Sequence, residues 1–385
     1  MQGFIASAIV PRVPDLIRQL DISFVMWGLI SGLGAVGAAL GLASANQILH
    51  RWGGKRVAFV SFAVVLVAQS SLGFLTNSGV YLIMSLVVSF TMSTFNIAIN
   101  SQAVILQTVT GRVIIGRFHA AWAIGAATSS TVSGILAPVL PLWLHLMSFA
   151  VLGATAFFIA GRGLLDREEG FTADENARDK VGSWRNMPKR VYLLGVGLAV
   201  GVIPEAAMWD WSSIYGREYL GYDPVRASIP YSVFMLSMIV GRFAIDLVGR
   251  RVPLYVQATV GATVGAVALI ASTVFGPTLT ADGSPSGLIA ISALWALAGL
   301  GAAPVTPTFL SSATLVSGMS TAQAMARISL LEMGLILVIK FFMGHVAQVS
   351  GVGVAYWIPI TSWLVAAVIA MWAWGLAKKQ AAETV

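Results

Sequence analysis

Stretches of about twenty apolar residues recur along nearly the whole chain, separated by connectors of a few residues, and no other feature restricts the fold as tightly. A bilayer's hydrocarbon core is about 30 Å thick, and a helix needs roughly 20 residues to cross it. Backbone N–H and C=O groups facing lipid must be satisfied within their own span, so the spans read as helices. Composition agrees: 57% of residues are apolar, 10% are charged, and the mean hydropathy is +0.83. That leaves too little polar surface to clothe a water-soluble molecule of 385 residues.

One long polar stretch interrupts this pattern near the midpoint. Residues 161–190 carry seven Lys/Arg and six Asp/Glu. The apolar segments fall on either side of it. The first run, Met1 to Val10, is too short to cross and ends at Pro11-Arg12-Val13-Pro14-Asp15, so it reads as the outer part of a span whose beginning precedes Met1. Further spans read as 24–48, 57–76, 79–104, 118–140 and 142–163. After the polar stretch come 190–214, 229–248, 252–276, 287–312, 323–347 and 355–377. The expected fold is an all-α membrane protein of two pseudosymmetric six-helix bundles, with twelve transmembrane helices and the first truncated. The expected domains are residues 1–163, a cytoplasmic linker 164–188, and 189–385 with a short cytoplasmic tail.

Orientation follows from the basic residues. With both termini and the linker inside, the inner connectors and span ends collect Arg51, Lys55, Arg56, Arg112, Arg117, Arg242, Arg250, Arg251, Arg327, Lys378 and Lys379. The outer ones hold Arg12, Arg18, Arg217 and Arg226. This is the positive-inside bias of a multi-pass protein. The net charge of +7 is therefore topological and calls for no nucleic-acid partner. The chain has no cysteine, which excludes disulfides, thiolate catalysis and cysteine metal sites. No metal-ligand cluster, nucleophile–base arrangement or phosphate-cradling loop stands out, so neither an enzyme nor a cofactor is expected.

The halves repeat features. Leu20-Asp21-Ile22-Ser23 precedes the second span and Leu220-Gly221-Tyr222-Asp223 the eighth. Gly53-Gly54-Lys55-Arg56 follows the second and Gly249-Arg250-Arg251 the eighth. Duplicated bundles are a layout that transporters use to hold a solute between halves that rock.

In the loop after span 2, in NIAINSQA (96–103), GRFHAAW (116–122), PEAAMWDWSSIY (204–215) and GRFAIDLVGRR (241–251), the chain resembles the major facilitator superfamily. More narrowly it resembles the fucose permease-like branch of bacterial inner-membrane proteins. The resemblance implies secondary active transport by alternating access, with a sugar or sugar derivative favoured as the solute. It further implies a bacterial inner-membrane protein; both termini are expected to be cytoplasmic from the distribution of basic residues, and the protein is expected to act as a monomer in the lipid bilayer. The chain departs from the pattern in three places. His50 stands where the superfamily's loop motif has an Asp three residues before its Gly, whereas Asp246 keeps that position before Gly249. Asn96 replaces the acid that the sugar–proton branch carries four residues before the Asn matched by Asn100. The Gly-Pro signature of drug antiporters is not recognisable between Gly125 and Pro138.

Several residues are candidates for the transport site. Ser85, Ser89, Ser93, Asn96 and Asn100 share one face of span 4. The serines read as a helix–helix seam, and Asn96 and Asn100 as the wall of a solute cavity, since amides both donate and accept. Glu205 follows Pro204 within span 7, and Trp209 lies one turn on, so both are cavity candidates. For Glu205 the competing reading is a structural ion pair, and for Trp209 an interfacial aromatic. Glu332 in span 11 is a second intramembrane acid, with a buried ion pair as its alternative. A proton-coupled cycle would have to use Glu205 or Glu332 as carrier. Arg12 and Asp210, at similar depths in pseudosymmetric spans, are candidates for an outer gate, or for a wetted interfacial charge in the case of Asp210. Arg51, Lys55, Arg56, Asp246, Arg250 and Arg251 are candidates for an inner gate, with plain topology as the alternative. Lys340 reads as snorkelling outward, His119 as bonding a loop carbonyl, and His145 and His345 as packing residues. Two other functions fit the same fold: efflux of amphipathic compounds, and a non-transporting membrane partner or sensor.

Overall fold

The computed structural model describes residues 1–110, 115–165, 188–316 and 321–383. Nearly all of the expected linker therefore lies outside the described residues, as do the side chains of Arg117, His119 and Asp246. The chain forms two compact units, Met1–Asp179 and Lys180–Val385.

The first unit is built from α1 (Gln2–Ser7), α2 (Val13–Leu20), α3 (Phe24–Trp52), α4 (Gly54–Ser71), α5 (Ser78–Thr110), α6 (Ile115–Leu136) and α7 (Leu142–Ala160). The second holds α8 (Lys189–Ile214), α9 (Pro224–Gly249), α10 (Leu254–Thr280), α11 (Pro285–Ala302), α12 (Val305–Ser311), α13 (Thr321–Ser350), α14 (Val352–Ala355) and α15 (Trp357–Glu383). Among the described residues, ten segments are long and apolar enough to cross a bilayer, and a shorter apolar helix covers Ala120–Leu136. Counting α1–α2, α11–α12 and α14–α15 as one broken crossing each, both units are six-helix bundles.

Prolines divide two of the expected spans. The first apolar run ends near Pro11 as expected, but the helical path does not. The chain continues through a 3₁₀ turn, Val10–Arg12, into α2. Pro11 and Pro14 each fall in the first two positions of their helical segment, where a missing N–H forfeits no helical bond. The span expected at 287–312 falls within the apolar stretch Pro285–Thr314, whose helix is interrupted at Ala303-Pro304 between α11 and α12. Pro204 is a different case, because α8 runs through it unbroken.

The repeat seen in the sequence is a repeat of geometry. Asp21 and Gly221 both adopt positive φ, +49° and +69°. Two residues later, Ser23 accepts a hydrogen bond from the Met26 N–H, and Asp223 accepts from the Val225 and Arg226 N–H groups. A left-handed turn followed by an N-cap thus starts both α3 and α9. Packing repeats as well. In the first unit α3 lies on α5, α5 on α4, α1 on α6 and α4 on α7; in the second, α9 lies on α11, α11 on α10, α8 on α13 and α10 on α15.

Small residues set these contacts. A Cβ on Gly37 would come within 2.7 Å of the Leu86 carbonyl, and one on Gly41 within 2.4 Å of the Phe90 carbonyl, with Ser89 and Ser93 alongside. The serine stripe of span 4 is the seam it was read as. Gly261 and Gly301 bring α10 and α11 together in the same way. Aromatic side chains fill the remaining interior: Phe62, Phe95 and Phe157 in the first unit, and Trp211, Trp295 and Trp363 in the second. Trp363 donates its indole N–H to the Gly201 carbonyl, in the turn before Pro204.

Candidate functional site

In the first unit, α5 carries the amide pair. Asn100 donates to Asn96 (2.7 Å), and Asn96 donates to Gln2 of α1 (3.1 Å). Spacing of four residues on α5 aligns the two asparagines, and α1 supplies the third amide. All three border a cavity of about 410 Å³ lined by α1, α5, α6 and α7, whose other walls include Phe95, Phe118, Trp122 and Phe157. Gln2 is a participant that the sequence reading passed over, although it is the polar residue that opens an otherwise apolar run.

At the other end of this unit, Arg12 is buried. Its Nη1 donates to the Leu140 carbonyl (2.9 Å) and to His145 Nδ1 (3.1 Å), and its Nε stands 2.7 Å from Asp15. His145 therefore has a named partner, contrary to the expectation of a packing residue. A guanidinium spreads five donors over three nitrogens, so it reaches two helix ends and a carboxylate from different sides, where a lysine would offer a single nitrogen. Arg12 is thus an internal tie between the first crossing and the α6–α7 connection.

The second unit holds most of the charge. Glu205 lies at the middle of the Lys189–Tyr219 span. Its Oε1 accepts from the Thr306 hydroxyl (3.1 Å), and its Oε2 lies 3.4 Å from Arg242 Nη2. Both partners come from other crossings, α12 and α9. Arg242, one of the inner basic residues, stands two turns before the end of α9 and reaches to an acid on α8. Glu332 of α13 lies within electrostatic reach of Glu205. The break at Pro304 explains Thr306: it starts a fresh helix there and turns a hydroxyl toward α8.

Asp210, five residues beyond Glu205, makes a 2.7 Å ion pair with Lys340 of α13. The side chains of this pair are 10% and 19% exposed, against 20% and 39% for Glu205 and Arg242. Lys340 does not snorkel to the interface as expected. Arg12 and Asp210, the two residues expected to form an outer gate, are thus each engaged within their own unit. Trp209 meets Tyr231 edge-on at 6.3 Å. Among the inner-gate candidates, Arg51, Arg56, Arg250 and Arg251 are exposed and Lys55 is partly so. The Asp246 side chain lies outside the described residues.

Among the described residues, no cluster of three or more His, Asp or Glu side chains is placed to hold a metal ion.

Comparisons with known proteins agree with this architecture. A family model described as Major Facilitator Superfamily matches residues 1–331. An uncharacterized MFS-type transporter of Yersinia pestis is 25% identical over 360 residues, covering 92% of this chain and 88% of that protein. An uncharacterized transporter of Sinorhizobium fredii is 24% identical over 363 residues, covering 93% and 91%. Among solved structures, the nucleoside transporter NupG superposes with a TM-score of 0.69 at 14% identity, covering 98% of this chain and 96% of that one. A D-xylose-proton symporter superposes with a TM-score of 0.70 at 13% identity, covering 96% and 94%. These likenesses extend over whole chains, and they do not single out a fucose permease-like branch.

Proposed function

Because the chain belongs to the Major Facilitator Superfamily, a family of transporters and not of enzymes, we propose that it is a proton-coupled secondary transporter that moves a small polar solute by alternating access. One observation carries the coupling: inside membrane-spanning segments Glu205 is paired with Arg242, and Glu332 lies within electrostatic reach of Glu205. Two carboxylates against one guanidinium leave a negative charge over, and an uncompensated charge in a bilayer is costly. A proton is the partner that such a cluster takes on and gives up as water access changes sides. Asn96 and Asn100 cannot take that role, since amides do not titrate, and they serve instead to hydrogen-bond a solute bearing hydroxyls.

A sugar or sugar derivative is the favoured solute class. The D-xylose-proton symporter among the structural neighbours supports it, as does the amide pair. The setting is a bacterial plasma membrane with both termini cytoplasmic. The apolar and aromatic lining around Phe95, Phe118 and Trp122 favours a second reading, efflux of amphipathic compounds.

Proteoliposomes with an imposed pH gradient test the coupling. The wild-type protein is expected to accumulate solute when the gradient is applied. Glu205→Gln is expected to abolish accumulation, by more than about tenfold, while retaining exchange of solute for solute, because only the proton-driven step needs a titrating group. Undiminished accumulation in both Glu205→Gln and Glu332→Gln would remove the proposal. Preference for amphipathic cations over sugars would put efflux first.

A further inference from the structure

The two intramembrane ion pairs of the second unit differ in a way that bears on the solute, given the transporter reading above. Asp210 and Lys340 are closed on one another at 2.7 Å and mostly shielded. Glu205 and Arg242 are held loosely at 3.4 Å through a single nitrogen and a single oxygen, and the arginine side chain is 39% exposed. A structural pair in lipid is expected to look like the first. The second leaves most of an arginine's donor fork open in a membrane-spanning segment.

We propose that the transported solute is a small organic anion, and that Arg242 binds its carboxylate in exchange for Glu205. An arginine fork presents parallel N–H groups that match a carboxylate edge, and its charge persists at every working pH. A neutral sugar has no group that would repay holding a half-paired guanidinium in the membrane. The exchange leaves nothing bare. When a solute carboxylate takes the guanidinium, Glu205 keeps the Thr306 hydroxyl on Oε1 and picks up a proton.

The charges around the site make that proton necessary. α9 contributes Arg242, α12 contributes no titratable group, and α13 contributes Glu332 as well as Lys340, which is occupied by Asp210. Arg327 lies five residues before Glu332 on α13 and has its own interaction. Lys378 and Lys379 sit at the far end of α15. The Asp246 side chain of α9 is outside the described residues. A solute carboxylate entering beside Glu205 and Glu332 would set three negative groups against one guanidinium. Anion binding and proton uptake are therefore the same event. Because ionised Glu205 competes for Arg242, affinity rises as pH falls, down to the range where the solute itself protonates.

Thermal-shift titrations on the full-length purified protein read this out. Lactate, glycerate, gluconate and glucuronate are each compared with the corresponding amide, and glucose and ribitol are included, at pH 6 and pH 8. At least one acid is expected to stabilise the protein while its amide does not, more strongly at pH 6. Arg242→Lys is expected to weaken that acid by about ten- to hundredfold, the loss of one charge-assisted contact. Glu205→Gln is expected to remove most of the pH dependence. If an amide or polyol binds as well as the acids, or if Arg242→Lys leaves the acid's affinity unchanged, the inference falls while transport of a neutral solute stands. If no acid, amide or polyol either stabilises or crosses, both the inference and the small-polar-solute reading fall. Should Arg242→Lys not fold, the acid–amide comparison on the wild-type protein decides alone.

Discussion

Asp210 and Glu205 lie five residues apart on α8, yet one is closed on a lysine and the other is only loosely met by an arginine. The distinction matters for stability as well as transport. Removing one member of a buried pair leaves an uncompensated charge, at a cost of about 3–5 kcal/mol, whereas replacing both by apolar groups of similar volume is near neutral. Asp210→Ala is therefore expected to lower the thermal midpoint much more than the double variant Asp210→Leu/Lys340→Met, as measured by tryptophan fluorescence on heating. Equal losses in the two would show that the pair is not the source of the effect. Both acids were recognisable in the sequence as charges inside apolar spans. Their partners were not, because Arg242 and Lys340 are each distant in sequence from the acid they meet. Arg242 did carry a signal, since it stands inside the apolar span 229–248 and not in the connector after it. Thr306 and His145 carried none, since nothing in a linear sequence says which hydroxyl or imidazole faces a charge on another helix.

Helix seams give a sharper test of the packing. The α3–α5 approach depends on Gly37 and Gly41, where an added Cβ would collide with a backbone carbonyl that cannot rotate away. Gly41→Val is expected to cost about 1–3 kcal/mol or more through forced separation of the helices. Gly334, midway along α13, has nothing within 4 Å of where its Cβ would stand. Gly334→Ala should leave the thermal midpoint unchanged or raised, since alanine is the better helix former. A matched loss at Gly334 would mean that the loss at Gly41 is not specific to the seam. The glycine stripe of α3 and the serine stripe of α5 were both legible beforehand. Their being the two sides of one contact follows from the fold, as does the similar meeting of Gly261 and Gly301.

At the scale of the whole molecule, the absence of cysteine makes orientation directly measurable. Ser286→Cys, at the start of α11, is expected to react with a membrane-impermeant maleimide on intact cells. Arg51→Cys, at the end of α3, is expected to react only after permeabilisation. The reverse pattern would invert the topology that the positive-inside bias gives. Apolar run length by itself determined that the chain spans a membrane as helices, and the repeated turn sequences around Asp21 and Gly221 determined that its halves correspond. These are local properties: a run either matches the bilayer thickness or does not, and a left-handed residue followed by a cap starts a helix wherever it stands. Tertiary structure alone decided that the first crossing continues past its prolines, that span 10 breaks at Pro304, and which charges neutralise which. Each of those depends on what a neighbouring helix offers at a given depth, and that is a property of packing between segments remote in sequence.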